Sequence, residues 1–359
     1  MEKQITIIIP TYNMEKYIGK CLDSLLIPEF NQVEVLVVND GSKDRSSEIA
    51  HSYAECYPDS IRVIDKPNGN YGSCINAALP QVKGRYVKIL DADDSFDNEG
   101  FSKLVRKLKD LDVDVVFTLC KDVDENGNIT GVSGKFKVNR YNHVYDDINS
   151  RLSDNTLMHW MAYNTRVFSR FNYHQPEGIS YTDNIWAFIP IIYCKTGIFL
   201  DFVVYKYLLG RQGQTMDVQS MLKQLDHFRL VAKAMVDYYV QFKENKEIRD
   251  IAKKNTLAVV TCIYNLFTQR FKTKESYSLL AKFDSDLCQQ APEIYDAIND
   301  YNIYKSVDYK IYAHLRASNY DLNMPIPKRI ELKRRFLLHK HGAYLRLMSL
   351  IYKISGKTN

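Results

Sequence analysis

Apolar residues in the first 120 positions fall into short, nearly continuous runs, and beyond about residue 217 they change to stripes at three and four spacing. Ile5, Ile7, Ile8 and Ile9 form the first such run, over Gln4–Pro10, the pattern of a strand buried on both faces. Met14–Ile27 follows with Tyr17, Ile18, Cys21, Leu22, Leu25 and Leu26 on one helical side. The unit then recurs. Strands are predicted over Val33–Val38, Ile61–Asp65, Arg85–Leu90 and Val113–Leu119, with helices at Asp44–Tyr57, Tyr71–Leu79 and Asn98–Leu108 between them. Alternation of this kind predicts a mostly parallel sheet flanked by helices, an α/β fold.

Asp124–Asn128 contains an Asn-Gly pair and reads as a turn between two extended pieces. Arg140–Glu177 is irregular and rich in aromatic residues, and a helix is expected at Asn184–Tyr193. Long helical stripes cover Val218–Lys243, Ile248–Phe271, Ser276–Gln289 and Tyr304–Ala317. Residues 1–217 are therefore read as one domain and 218–359 as an all-helical region, with a Pro-interrupted linker at Ser318–Lys328.

Composition narrows the class. The chain has 359 residues, 45% hydrophobic and 25% charged, in the range of ordinary globular proteins. No apolar stretch approaches the roughly 20 residues that span a bilayer, and the N-terminus lacks the pattern of a signal peptide. A cytoplasmic protein is expected. Seven scattered cysteines suggest neither a disulfide framework nor a zinc site. The net charge of +5 comes from the tail. Residues about 328–354 combine basic side chains with Phe336, Leu337, Leu338, Tyr344, Leu345, Leu347, Leu350 and Ile351, a basic amphipathic pattern. Such a segment lies on an anionic bilayer surface, at the inner face of the membrane, or docks as a terminal helix.

The chemistry sits in polar turns that end the predicted strands. Leu90-Asp91-Ala92-Asp93-Asp94 places three carboxylates at a strand end, where ligands bind in open α/β sheets. Crowded carboxylates repel one another unless a cation joins them, and a hard divalent ion such as Mg²⁺ or Mn²⁺ suits oxygen ligands. Pro10-Thr11-Tyr12-Asn13 and Asn39-Asp40-Gly41-Ser42 end two further strands on the same edge. Tyr12 offers a ring for stacking a base, and Asp40 an acceptor for an imino N–H.

These motifs, with Asn70-Tyr71-Gly72-Ser73-Cys74-Ile75-Asn76, occur in the order and spacing of the family 2 glycosyltransferases, which the chain resembles over roughly its first 215 residues. The resemblance implies a GT-A, Rossmann-like fold and a nucleotide-diphospho-sugar donor, most often a UDP-sugar. It implies that Thr11, Tyr12 and Asp40 hold the base, Asp91 the ribose and Asp93 the metal bridging the diphosphate. Pro10, Gly72, Asn76 and Ala92 join the nucleotide-sugar site as members of the same motifs. One departure stands out. Many members have an Arg before the Asn of the third motif, where this chain has Ile75, so a phosphate contact is expected from Lys66 or from a late basic residue.

Glu177–Trp186 resembles the family's acceptor-side segment, in which a Glu-Asp pair opens a helix and the Asp is the base. Thr182 replaces the Glu, and Asp183 keeps the base position; capping a helix N-terminus is compatible with that work. Tyr205–Thr215 resembles the closing strand and loop, from which Arg211 reaches the diphosphate. Trp160, Trp186 and His159 are read as core.

The expected activity is inverting, metal-assisted sugar transfer to a glycan or lipid-linked acceptor hydroxyl in bacterial surface polysaccharide synthesis. Nucleic acid is not an expected partner, since the acidic crevice repels phosphates that lack a metal. The helices shape the acceptor site, bind a membrane or form a homodimer. A sugar nucleotidyltransferase is the alternative enzyme, although Pro10–Asn13 is not its Gly-rich triphosphate loop. A nucleotide-sugar binding protein without catalysis is the non-enzymatic alternative.

Overall fold

Ile5–Thr11 forms β1, and all its residues but Pro10 are buried. In the computed structural model, which describes residues 2–152, 156–211, 214, 218–301, 309–330 and 332, β2 (Val33–Asn39), β3 (Ile61–Asp65) and β4 (Tyr86–Ile89) extend a parallel sheet around β1. Burying each isoleucine of β1 contributes about 1.5–3 kcal/mol. The parallel part ends at β4. Next to β4 lies β9 (Met161–Asn164), antiparallel both to it and to β6 (Val115–Val123). The long β10 (Gly197–Leu208) runs parallel to β6.

Short strands β5 (Ser95–Phe96), β7 (Ile129–Ser133) and β8 (Val144–Tyr145) are antiparallel additions, giving the order β3-β2-β1-β4-β9-β6-β10-β5 with β7 on β6 and β8 on β10. The Asn-Gly turn lies in the β6–β7 hairpin. The sheet is thus mixed: the parallel portion follows the strand–helix alternation, and β9 enters from the aromatic stretch that carried no clear period.

The crossover helices are α1 (Ile18–Asp23), α2 (Ser46–Cys56), α3 (Asn70–Ala78) and α4 (Asn98–Leu108). Asp97 caps α4 by accepting from the Gly100 amide at 3.1 Å, one of the donors a helix N-terminus leaves unpaired. α1 is shorter than its apolar stripe. The predicted helix at 184–193 is α5 (Asp183–Phe188) followed by a 3₁₀ turn at Pro190–Tyr193, because proline supplies no amide to continue the α-helical ladder.

Beyond residue 217 the pattern beginning at Val218 breaks at Gln224 into α6 (Val218–Lys223) and α7 (Leu225–Phe242), followed by α8 (Arg249–Asn265). These helices belong to a first compact unit, Met1–Asn265, and a second comprises Leu266–Asn359. The change of sequence character near 217 and the division of packing at 265 are therefore different boundaries.

The second unit contains α9 (Lys274–Gln290), α10 (Pro292–Asn299) and α11 (Ile311–Ala317). Thr273 and Ser276 form a capping box at the start of α9. A buried Asp284–Arg316 ion pair at 2.6 Å ties α9 to α11, with the guanidinium 3.5 Å from the Tyr295 ring centroid. α10 was not anticipated, although Pro292 at its first turn is a start signal. Residues 304–308 of the last predicted helix, and the basic tail beyond Leu332, lie outside the described residues. No helix among the described residues is long and apolar enough to cross a membrane.

Strand β4 carries a charge-bearing side chain into the core. Lys88 of β4 is fully buried, and its Nζ donates to the carbonyls of His159 at 2.6 Å and Met161 at 3.1 Å. Burial lowers its pKa to about 7. A neutral amine has two N–H groups, matching the two carbonyls. The unfolded chain holds this proton up to the ordinary value of 10.5, so between about 7 and 10.5 unfolding takes up a proton and native stability rises with pH. Lys88→Met should lower stability by about 2–4 kcal/mol through two orphaned carbonyls. In urea denaturation its deficit should be larger at pH 9 than at pH 7.

Candidate active site

The loops after β1 and β2 are stitched together before any ligand is considered. Asn13 adopts a left-handed conformation (φ 54°), its amide donates to Ser42 Oγ at 3.1 Å, and its side-chain oxygen accepts from the Lys43 amide at 2.8 Å. The Met14 amide donates to Ser46 Oγ at 2.6 Å. Thr11 is buried with its hydroxyl donating to the Ile9 carbonyl at 3.1 Å, whereas Tyr12 is 45% exposed. Of this pair only Tyr12 turns a side chain outward. Pro10 lies in register with Val38 of β2.

Asp40 is buried and already has four donors. Oδ1 accepts from Lys66 Nζ at 2.7 Å and the Gly69 amide at 2.9 Å; Oδ2 accepts from Asn68 Nδ2 at 3.0 Å and the Asn70 amide at 2.9 Å. Two donors on each oxygen fill the carboxylate. Sequence reasoning offered Asp40 to a base; here it anchors the N-terminus of α3, a position that favours an acid. Lys66 is similarly committed, donating also to the Pro67 carbonyl at 2.7 Å and Ser73 Oγ at 2.8 Å. All three of its protons are in use in this structure, where it was expected to meet a phosphate.

α3 links this clamp to the rest of the site. A Cβ on Gly72 would lie 2.2 Å from the Pro176 carbonyl oxygen, so only glycine permits this approach. Asn76 donates to the Gln175 carbonyl and to Glu177 Oε1, both at 2.9 Å, and accepts from the Gln175 amide at 2.9 Å. It pins the 174–177 segment to the helix. On the same helix, Tyr71 Oη donates to Asp91 Oδ1 at 2.9 Å.

The acidic turn is braced from several elements. Tyr205 of β10 accepts from the Asp91 amide at 3.1 Å and donates to Asp94 Oδ2 at 2.7 Å, while the Leu208 amide donates to Asp94 Oδ1 at 2.7 Å. Arg211 Nε donates to Asp93 Oδ2 at 2.5 Å. Ala92 is buried. Burial, and then the charge of Asp93, raises the Asp91 pKa to about 8; Asp94 is raised well above its ordinary value by the same causes.

His159, read as core from the sequence, lies beside this turn. One ligand atom each from Asp91, Asp94 and His159 lie within 4.8 Å of one another, an arrangement that could hold a metal ion. Burial, with a smaller contribution from Lys88, lowers the His159 pKa to about 3, which keeps its imidazole neutral. Asp93, the expected metal ligand, is instead paired with Arg211. No local signal marks His159: it lies in a 3₁₀ turn at Met158–Trp160, and only the pairing of β9 with β4 brings it to the acids. Trp160 and Trp186 are core as expected.

Asp183 opens α5. Its charge contributes to the raised pKa values of Asp91, Tyr71 and Tyr207, so it stands within electrostatic reach of the acidic turn. Burial raises its own pKa. Tyr181, two residues earlier, has a left-handed backbone (φ 66°) and stacks on Phe228 of α7 at 4.0 Å, and the Ser180 amide donates to His227 Nδ1 at 3.2 Å. Helix α7 thus buttresses the approach to Asp183.

A mixed sheet with polar loops at the ends of β1, β2 and β4, and Asp183 within electrostatic reach of the acidic turn, is the arrangement of the GT-A fold. The sequence model for glycosyl transferase family 2 matches residues 6–172, somewhat under half of the chain. An uncharacterised glycosyltransferase of Mycoplasma pneumoniae, the MG025 homologue, is 44% identical over 103 residues, 28% of this chain and 34% of its own length. The uncharacterised glycosyltransferase EpsJ of Bacillus subtilis is 38% identical over 112 residues, 31% of this chain and 32% of its own. The chain therefore spans about a third of the length of these curated relatives. The crystal structure of S. aureus TarS 1–349 in complex with UDP-GlcNAc shares the fold, with a TM-score of 0.64 at 21% identity over 88% of each chain.

Asp40→Ala should remove four acceptor contacts and leave Lys66 without its carboxylate, lowering stability by about 3–5 kcal/mol in urea denaturation. An unchanged stability, with loss confined to nucleotide affinity, would instead make Asp40 a ligand contact and not an anchor.

Proposed function

We propose that this protein transfers a sugar from a nucleotide-diphospho-sugar, a UDP-sugar by preference, to a hydroxyl of a glycan or lipid-linked acceptor, with inversion at the anomeric carbon. The observation that carries this reading is the electrostatic proximity of Asp183 to the Asp91–Asp94 turn, in a domain that the glycosyl transferase family 2 model matches. One carboxylate and a charged turn facing it are what a single displacement needs. The choice of uridine leans on the UDP-GlcNAc bound by TarS.

Asp183 acts as general base. The acceptor hydroxyl loses its proton as it attacks, and a carboxylate within hydrogen-bond reach accepts it. Burial raises the Asp183 pKa, which makes it a better proton acceptor than an exposed aspartate. Its helix-opening position holds the carboxylate, and the Tyr181–Phe228 stack fixes the backbone leading to it. Tyr12 supplies an exposed ring for the base, and Tyr71 orients Asp91 through Oδ1, leaving Oδ2 for the donor or its ion.

A divalent ion of the Mg²⁺ or Mn²⁺ type fits the donor set: two carboxylates and an imidazole kept neutral, all within 4.8 Å. Asp91, Asp94 and His159 would hold it, with Asp93 adjacent. When bound, such an ion neutralises charge developing on the leaving diphosphate. The chain's own residues hold and orient the acids around it.

Residues 1–217 carry the donor chemistry in this reading, and 218–359 the acceptor or membrane side. Support for membrane contact is the basic amphipathic tail, which would draw the protein to the anionic cytoplasmic face of a bilayer. A role in bacterial surface polysaccharide synthesis is consistent with such an acceptor.

Asp183→Asn should bind UDP as the wild type does but transfer about 10²- to 10⁴-fold more slowly, with UDP release from a panel of UDP-sugars and acceptors as the readout. Full activity in that variant would remove the base assignment. The base works only deprotonated, and its pKa is raised. Activity in the wild type should therefore fall on the acid side at a higher pH than an unperturbed aspartate would give.

A further inference from the structure

The Arg211–Asp93 ion pair is short, 2.5 Å, and only 9% and 11% of the two side chains are exposed. The Arg211 guanidinium also lies 5.4 Å from the Tyr17 ring centroid, so a carboxylate and an aromatic face hold it together. Its partner is the central acid of a turn carrying three carboxylates in four residues. The backbone that delivers it follows the end of β10: Gly210 is left-handed (φ 91°), and Gln214 braces the turn by accepting from the Gly210 amide at 3.2 Å and donating to the Leu208 carbonyl at 2.6 Å.

An arginine is well suited to change partners here. Its planar donors match the oxygens of a carboxylate and those of a phosphate equally well. Removing a buried acid from its cation is costly unless another cation takes the place. The arrival of a divalent ion together with a diphosphate meets both conditions at once: the turn gains a new positive partner, and the guanidinium gains a new negative one.

We propose that Arg211 is the resident counter-cation of Asp93 in the nucleotide-free protein and passes from that carboxylate to the donor's diphosphate when the divalent ion binds; this rests on the donor and metal chemistry proposed above. Arg211 then couples the two ligands. Without nucleotide it competes with the ion for the acidic turn, whichever oxygens of the turn hold the ion. With nucleotide it is drawn away, and ion and diphosphate each tighten the binding of the other, as linkage requires.

Mn²⁺ binding to the full chain, followed by the loss of the free-ion electron paramagnetic resonance signal with and without UDP, tests this directly. In the wild type UDP should tighten Mn²⁺ binding. Arg211→Gln should bind Mn²⁺ about tenfold more tightly without nucleotide, and the effect of UDP on Mn²⁺ should shrink. Adding Asp93→Asn to that variant should abolish the gain. Arg211→Lys, which keeps the charge and loses the planar fork, should bind Mn²⁺ weakly without nucleotide, like the wild type, yet show reduced coupling to UDP.

Unchanged or weaker nucleotide-free Mn²⁺ binding in Arg211→Gln overturns the exchange, as does full UDP coupling in Arg211→Lys. If the wild type itself binds neither UDP nor Mn²⁺ in any combination, the donor reading falls and the exchange with it. Coupling in the wild type with no response to Arg211 substitution overturns the exchange alone.

Discussion

Electrostatic repulsion at the end of β4 is the constraint around which this molecule is arranged. Asp91, Asp93 and Asp94 occupy one turn, and Asp183 adds a fourth carboxylate within reach. Such a cluster persists only when donors are supplied. They come from widely separated segments: Tyr71 from α3, Tyr205 and Leu208 from β10, and Arg211 from the residues that follow it. Several elements thus converge on the turn because each supplies a hydrogen or a positive charge that it needs.

The support beneath the turn follows the same logic. Lys88 is two positions from the end of the β4 apolar run, yet it donates to backbone carbonyls of the segment carrying His159 and Met161 instead of to an acid. It fixes the strand partner that brings His159 beside Asp91 and Asp94. A charge in the core would be expensive; a lysine whose pKa has fallen to about 7 bears less of that cost and keeps the donors.

Asp40 and Lys66 show how motif residues also hold the loops of the site together. Their bonds tie the loop after β2 to the first turn of α3, and α3 in turn presents Tyr71 to Asp91. Lys66, expected as a substitute for the arginine absent at Ile75, has all three protons engaged in hydrogen bonds here. Ile75 is fully buried and belongs to the core. Arg211 is the cation that meets the acidic turn, from a part of the chain more than a hundred residues away in sequence.

Local sequence was enough to determine the parallel strands β1 to β4, their crossover helices, the β6–β7 turn and the acidic motif. These depend on apolar periodicity and turn chemistry, which act between near neighbours. Tertiary structure alone decided that the sheet becomes antiparallel at β9, that His159, packed against the Tyr205 and Tyr207 rings, comes within 4.8 Å of two aspartates, and that Asp40 and Asp93 pair with Lys66 and Arg211. No spacing rule encodes these outcomes. A buried carboxylate takes whichever donor the fold brings within about 3 Å, and that choice is made by pairings between residues far apart in the chain.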